Sequence, residues 1–87
     1  MYFIIVYDVG VERVNKVKKY LRQYLDWIQN SVFEGNLTKS EYKEVQNNIK
    51  KIIDESHDSV VFYKLRNKKA LDKKTIGQEK EKTDKII

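Results

Sequence analysis

The sequence contains no cysteine and a single histidine, His57. Disulfides and thiolate zinc sites are therefore excluded, and so is a His-rich metal centre. No apolar run approaches the roughly 18 residues of a membrane span. There is no glycine-rich phosphate loop, no zinc-ligand spacing and no nucleophile elbow. The run of basic, glycine and alternating aromatic residues that marks an RNA-recognition motif is missing too. The amino terminus opens directly into an apolar run, Tyr2 to Tyr7, which does not read as a secretory signal. The expectation is one soluble, cytoplasmic domain with no membrane partner. At 87 residues it buries only about 60–65% of the surface of its unfolded chain. Domains this small usually need a staple, and a partner subunit is the one left open.

Charge is plentiful and uneven. Residues 1–65 hold ten Lys/Arg against nine Asp/Glu, whereas residues 66–87 hold eight against four, so most of the net +5 lies in the last quarter. A second basic concentration, Arg13, Lys16, Lys18, Lys19 and Arg22, lies within Val11–Leu25 and faces Glu12 alone. Two basic segments suggest a polyanion, because Lys and Arg that neutralise phosphates release condensed counterions. A solvated lysine-rich face is the plainer reading of the same pattern.

Hydrophobic periodicity divides the chain. Tyr2–Tyr7 is continuously apolar and β-branched or aromatic, and predicts a strand covered on both faces. Val14, Val17, Leu21, Tyr24 and Leu25 fall on one stripe and predict a helix over Val11–Leu25, with Lys16, Lys19 and Arg22 on the outer side. Trp27–Gly35 reads as one bent strand or two short ones. Thr38-Lys39-Ser40-Glu41 has capping-box spacing, and Tyr42, Val45, Ile49, Ile52 and Ile53 repeat the helical stripe to about Asp54. Ser59–Leu65 is a further strand, Arg66–Lys74 a basic loop, and Thr75-Ile76-Gly77 a short edge strand. The order predicts an α+β, ferredoxin-like β-α-β-β-α-β sandwich over residues 1–74 with both helices on one sheet face, and a C-terminal extension over 75–87. The other face would be bare and apolar, which predicts a sheet-to-sheet homodimer.

Asp8 ends the first strand just before Gly10. A carboxylate there is placed either to hold a divalent cation or to cap the following helix. One carboxylate makes a poor Mg²⁺ site, and a two-fold axis would supply a second. Gln29-Asn30-Ser31 interrupts an apolar strand, as a bulge or as the lining of a phosphate or metal-water site. Tyr7 and Phe33 are candidates to stack on bases or to fill the core. His57, in Glu55-Ser56-His57-Asp58, reads as a solvated loop residue.

The strand ending in Tyr7-Asp8, the basic helix, the run Ile28-Gln29-Asn30-Ser31-Val32-Phe33-Glu34-Gly35, the strand through Tyr63 and the late Ile76-Gly77 together resemble the small CRISPR-associated adaptation nucleases, the "Cas-two" family that partners the CRISPR integrase. The resemblance implies a ferredoxin-like homodimer whose C-terminal segment, with Ile86-Ile87, pairs on the partner's sheet. It implies that Asp8 of both chains meets at the dimer axis and holds Mg²⁺ or Mn²⁺ for hydrolysis of single-stranded RNA or duplex DNA, with Ser31 in a catalytic role and Tyr7, Arg13 and Phe33 in support. Lys16, Lys19 and Arg22 would bind nucleic acid. Family members often carry a basic residue just before the Ile/Val-Gln pair, where this chain has Trp27. The resemblance also implies two alternatives, a non-catalytic DNA-bridging subunit of the spacer-integration complex and a VapD-like ribonuclease toxin.

Overall fold

The computed structural model describes residues 1–78. The elements follow in the order β1 (Tyr2–Asp8), α1 (Val11–Leu21), β2 (Asp26–Gln29), β3 (Val32–Asn36), α2 (Lys39–Ile52) and β4 (Ser59–Leu65), with a 3₁₀ turn at Lys68–Ala70. The four strands form one antiparallel sheet in the order β2-β3-β1-β4, so β1 is central and both helical connections cross on one side. This is the ferredoxin-like arrangement that the order of apolar segments predicts.

The pleat sorts β1 into two faces. Phe3, Ile5 and Tyr7 are buried and pack with Phe33 of β3, Val17 and Leu21 of α1, and Val45 and Ile49 of α2. Tyr42 joins the two layers, its ring centroid 4.3 Å from Phe3 and 5.6 Å from Phe62. On the other face Val6 pairs with Val61, and Ile4 with Tyr63. Val6, Val61 and Tyr63 remain 37%, 41% and 55% exposed, an apolar patch shared by β1 and the edge strand β4. Toward β2 and β3 the same face is partly roofed. Buried Glu34 accepts a hydrogen bond from the Tyr2 hydroxyl at 2.8 Å, and Lys73 Nζ stands 3.6 Å from Glu34 Oε1.

Two expectations from the sequence are not met, and one alternative that it left open is decided. α1 ends at Leu21, not Leu25. The chain tightens there through bonds from Gln23 N to Tyr20 O and from Tyr24 N to Leu21 O, which frees Leu25 to enter the core ahead of β2. Gly35 allows that entry, because a Cβ on it would lie 3.0 Å from Leu25 Cδ2. The Trp27–Gly35 region resolves into two strands, with Asn30 at φ 41° in the turn and the register slipping at Ile28 between Trp27 and Gln29. Thr75-Ile76-Gly77 forms no strand, and Ile76 is 91% exposed. The expected pairing of Ile86-Ile87 lies outside the described residues.

α2 carries the capping box that its sequence predicts. Thr38 Oγ1 accepts from Glu41 N at 3.0 Å, and Glu41 Oε1 accepts from Thr38 N at 2.9 Å.

Candidate metal and nucleic-acid site

Asp8 is the last residue of β1 and is exposed. It is opposite Ser59 at the start of β4. By the alternation of β1 it belongs to the sheet face away from the helices, one pleat beyond Val6. The capping alternative is overturned. The N-cap of α1 is Gly10, and no side chain caps that helix. Among the described residues the Asp8 carboxylate has no hydrogen-bond or ion-pair partner, so both of its oxygens are free for a ligand.

Ser31 is opposite Tyr7, the residue before Asp8. The ladder between β1 and β3 runs past Val6–Val32 through a bond from Tyr7 N to Ser31 O at 3.1 Å. The tip of the β2–β3 hairpin is therefore fixed one residue from Asp8. Trp27 braces that tip, its indole N–H donating to Asn30 O at 3.0 Å. Half-buried and packed against the core, Trp27 is a structural part of the hairpin.

The aromatic residues are not available for stacking. Phe33 is fully buried and Tyr7 nearly so, with ring centroids 6.1 Å apart inside the core. Burial raises the Tyr7 hydroxyl pKa above its ordinary value, with Arg22 acting weakly against it. The expectation that these two rings bind bases gives way to the core reading, because neither presents a ring face to solvent.

Arg13 is committed to an ion pair. Its Nε and Nη2 donate to Asp58 Oδ2 and Oδ1 at 2.6 and 3.0 Å, and its Nη1 lies 3.1 Å from Glu12. Asp58 also accepts from Gly10 N and Asp54 N, both at 2.9 Å. The Arg13 guanidinium, with those two backbone donors, holds the Asp58 carboxyl well below the usual carboxylate range despite its burial. Sequence reading missed Asp58. It stood unremarked at the end of a polar connection, and only its place next to β4 brings it to the start of α1.

Lys16 and Lys19 are exposed on α1, and Arg22 follows at its C-cap. They belong to the helical layer, whereas Asp8 belongs to the opposite sheet face. The sequence-predicted residues are thus spread over three places: Asp8 on the open sheet face, Ser31 in the β2–β3 turn opposite Tyr7, and the basic row in the helical layer.

The donor set suits a hard cation, which takes oxygen ligands and keeps several waters. No group of three or more His, Cys, Asp or Glu side chains that could hold a metal forms among the described residues. Asp8 is thus a single carboxylate and not part of such a cluster. No helix of the described residues is long and apolar enough to cross a membrane.

Three comparisons bear on this arrangement. A sequence model of the family described as CRISPR associated protein Cas2 matches residues 1–73. The CRISPR-associated endoribonuclease Cas2 of Pyrococcus furiosus is 55% identical over the full length of both chains. Among crystal structures, one Cas2 protein superposes with a TM-score of 0.84 at 49% identity, covering 92% of this chain and 90% of that one. Streptococcus pyogenes Cas2 superposes at 0.79 with 34% identity, covering 88% and 100%.

Proposed function

The chain belongs to the Cas2 family of CRISPR-associated proteins, and on that footing we propose that it is a divalent-metal endoribonuclease of CRISPR adaptation, working as a sheet-to-sheet homodimer. The supporting observation is the position of Asp8, a free carboxylate at the end of the strand that carries the exposed apolar patch. Two copies that cover Val6, Val61 and Tyr63 against each other would bring their Asp8 residues toward the shared axis, because an isologous interface repeats every contact about that axis. Each chain then supplies the half of the site that the other lacks.

Phosphodiester hydrolysis builds negative charge on the phosphorane oxygens and on the leaving oxygen. The two Asp8 carboxylates would hold a divalent cation, which would supply charge stabilisation there and make water a better nucleophile. Asp8 binds and orients. Ser31, held in the hairpin turn opposite Tyr7, would orient an attacking water through its hydroxyl. The basic row Lys16, Lys19 and Arg22 binds phosphates outside the reacting centre, and RNA and duplex DNA are both admissible there. Its separation from Asp8 favours a second reading, in which the dimer positions duplex DNA for the CRISPR integrase without cutting it.

The test is Asp8→Asn, assayed on labelled single-stranded RNA and duplex DNA with Mg²⁺, Mn²⁺ or chelator. Cleavage should require the metal, and the substitution should slow it on the order of 10²-fold or more, the scale of losing a preorganised stabilising group. Because Asp8 is exposed and caps nothing, stability should move by no more than about 0.5 kcal/mol. Full metal-dependent cleavage by a folded Asp8→Asn dimer refutes the catalytic assignment. Wild-type protein that cuts nothing under either metal favours the bridging reading.

A further inference from the structure

We propose that Asp58 is a positioning residue for the Asp8 carboxylate, and that Arg13 serves the site through Asp58. This rests on the reading of Asp8 as a metal ligand. The Asp58 side chain is 1% exposed and receives four donors: Gly10 N and Arg13 Nη2 at Oδ1, and Arg13 Nε and Asp54 N at Oδ2. An ionised carboxylate has about four lone-pair positions, so its capacity is filled and its orientation fixed. The Arg13 fork sets the carboxylate plane, which a single donor would leave free.

The four donors come from three places in the chain. Gly10 is the N-cap of α1, Arg13 lies in its first turn, and Asp54 follows the end of α2. Asp58 directly precedes Ser59, the β4 residue opposite Asp8. Asp8 is thereby held from both sides, by the β1–β4 ladder behind it and by the Gly10 tether two residues ahead. Asp58 also stands in for the side-chain cap that α1 lacks and sets a negative charge at the helix N-terminus. None of these contacts belongs to the apolar core, so their loss loosens the Asp8–Gly10 turn first. A ligating carboxylate whose support is loosened binds its cation less tightly, typically 10–100-fold for an outer-shell partner.

The experiment uses the full chain and Mn²⁺ as the probe. Mn²⁺ binding to substrate-free protein is followed by electron paramagnetic resonance for wild type, Asp58→Asn, Arg13→Lys and Asp8→Asn. RNA cleavage is measured against Mn²⁺ concentration with kcat and KM separated, and melting is recorded in parallel. Asp58→Asn should weaken Mn²⁺ about tenfold, leave KM for RNA unchanged and recover cleavage as Mn²⁺ is raised. Arg13→Lys, which keeps the charge and loses the fork, should show a smaller shift in the same direction. Thr38→Ala, in the distant α2 cap, should lower melting without moving the Mn²⁺ midpoint. Wild-type Mn²⁺ affinity in folded Asp58→Asn overturns the proposal, and if that variant fails to fold, wild-type affinity in Arg13→Lys overturns it. If Asp8→Asn abolishes binding while Asp58→Asn changes nothing, the positioning role alone falls. If Asp8→Asn binds and cuts as wild type does, the reading of Asp8 falls and the positioning role with it.

Discussion

Tyr63→Ala tests the proposed dimer where the structure exposes it most. Tyr63 stands opposite Ile4 on the open face, beside Val6 and Val61, and keeps 55% of its surface in water. A tyrosine buries roughly 150–250 Å² when fully covered. About 100 Å² of this one therefore remains for a partner to cover, worth about 2.5 kcal/mol at ~25 cal/mol per Å². A two-fold interface loses the residue twice, which gives an upper bound of about 5 kcal/mol. Interfaces return only part of such area as affinity, so about half is the reasonable expectation, or a dimer weaker on the order of 10²-fold. The monomer itself should hardly notice, because the removed ring lies outside its core. Sedimentation velocity across a concentration series measures the dissociation constant directly. If two Asp8 carboxylates make one site, RNA cleavage by the variant should fall at low protein concentration and return as protein is raised. Val11→Ala is the control, since Val11 is 81% exposed at the start of α1 and off the sheet face. A dissociation constant unchanged by Tyr63→Ala, or shifted equally by Val11→Ala, refutes the open-face dimer.

Acid stability should report on Asp58. Its carboxyl is held below the ordinary value of about 3.9, so its contribution is present above that pH and is lost as pH falls through the lowered folded value. Thermal melts of wild type and Asp58→Asn should therefore differ near neutrality and converge only at the acid end; a gap that stays constant with pH contradicts the ion pair. Thr38→Ala should cost about 1 kcal/mol and lower the melting temperature by roughly 4–8 °C, with Thr38→Ser nearly neutral; equal melts of all three proteins contradict the capping box. Gly35→Ala should destabilise by about 1–3 kcal/mol through its contact with Leu25, and Leu25→Val should relieve part of that loss in a double mutant followed by urea unfolding. Lys16→Glu with Lys19→Glu should weaken RNA binding and make the slope of log affinity against log salt shallower by roughly 1.4 per chain, at about 0.7 per phosphate contact; an unchanged slope removes these lysines from the interface.

Most of the fold is set by the spacing of apolar residues. The run Tyr2–Tyr7 has to be a central strand because both of its faces are apolar, and in the structure it pairs on both edges. The capping box of α2 and the bounds of β4 are local chemistry and appear where the sequence places them. Asp8 stood out because a carboxylate at a strand end beside a glycine is a local pattern too. What remained open depends on contacts distant along the chain. Whether Asp8 caps α1 was undecidable from its neighbours, and it is settled by Asp58, about fifty residues later, which takes the Gly10 N–H. Whether Arg13 faces a phosphate or a carboxylate was decided by the same residue. Tyr7 and Phe33 carry the composition of base-stacking residues, but the pleat turns them inward. The end of α1 at Leu21 was likewise hidden, because helical periodicity continues through Leu25 and only the demand to bury Leu25 against Gly35 stops it. Periodicity and capping act over a few residues and are written in the sequence itself. Ion pairs and close approaches across the sheet exist only once the fold has brought their partners together.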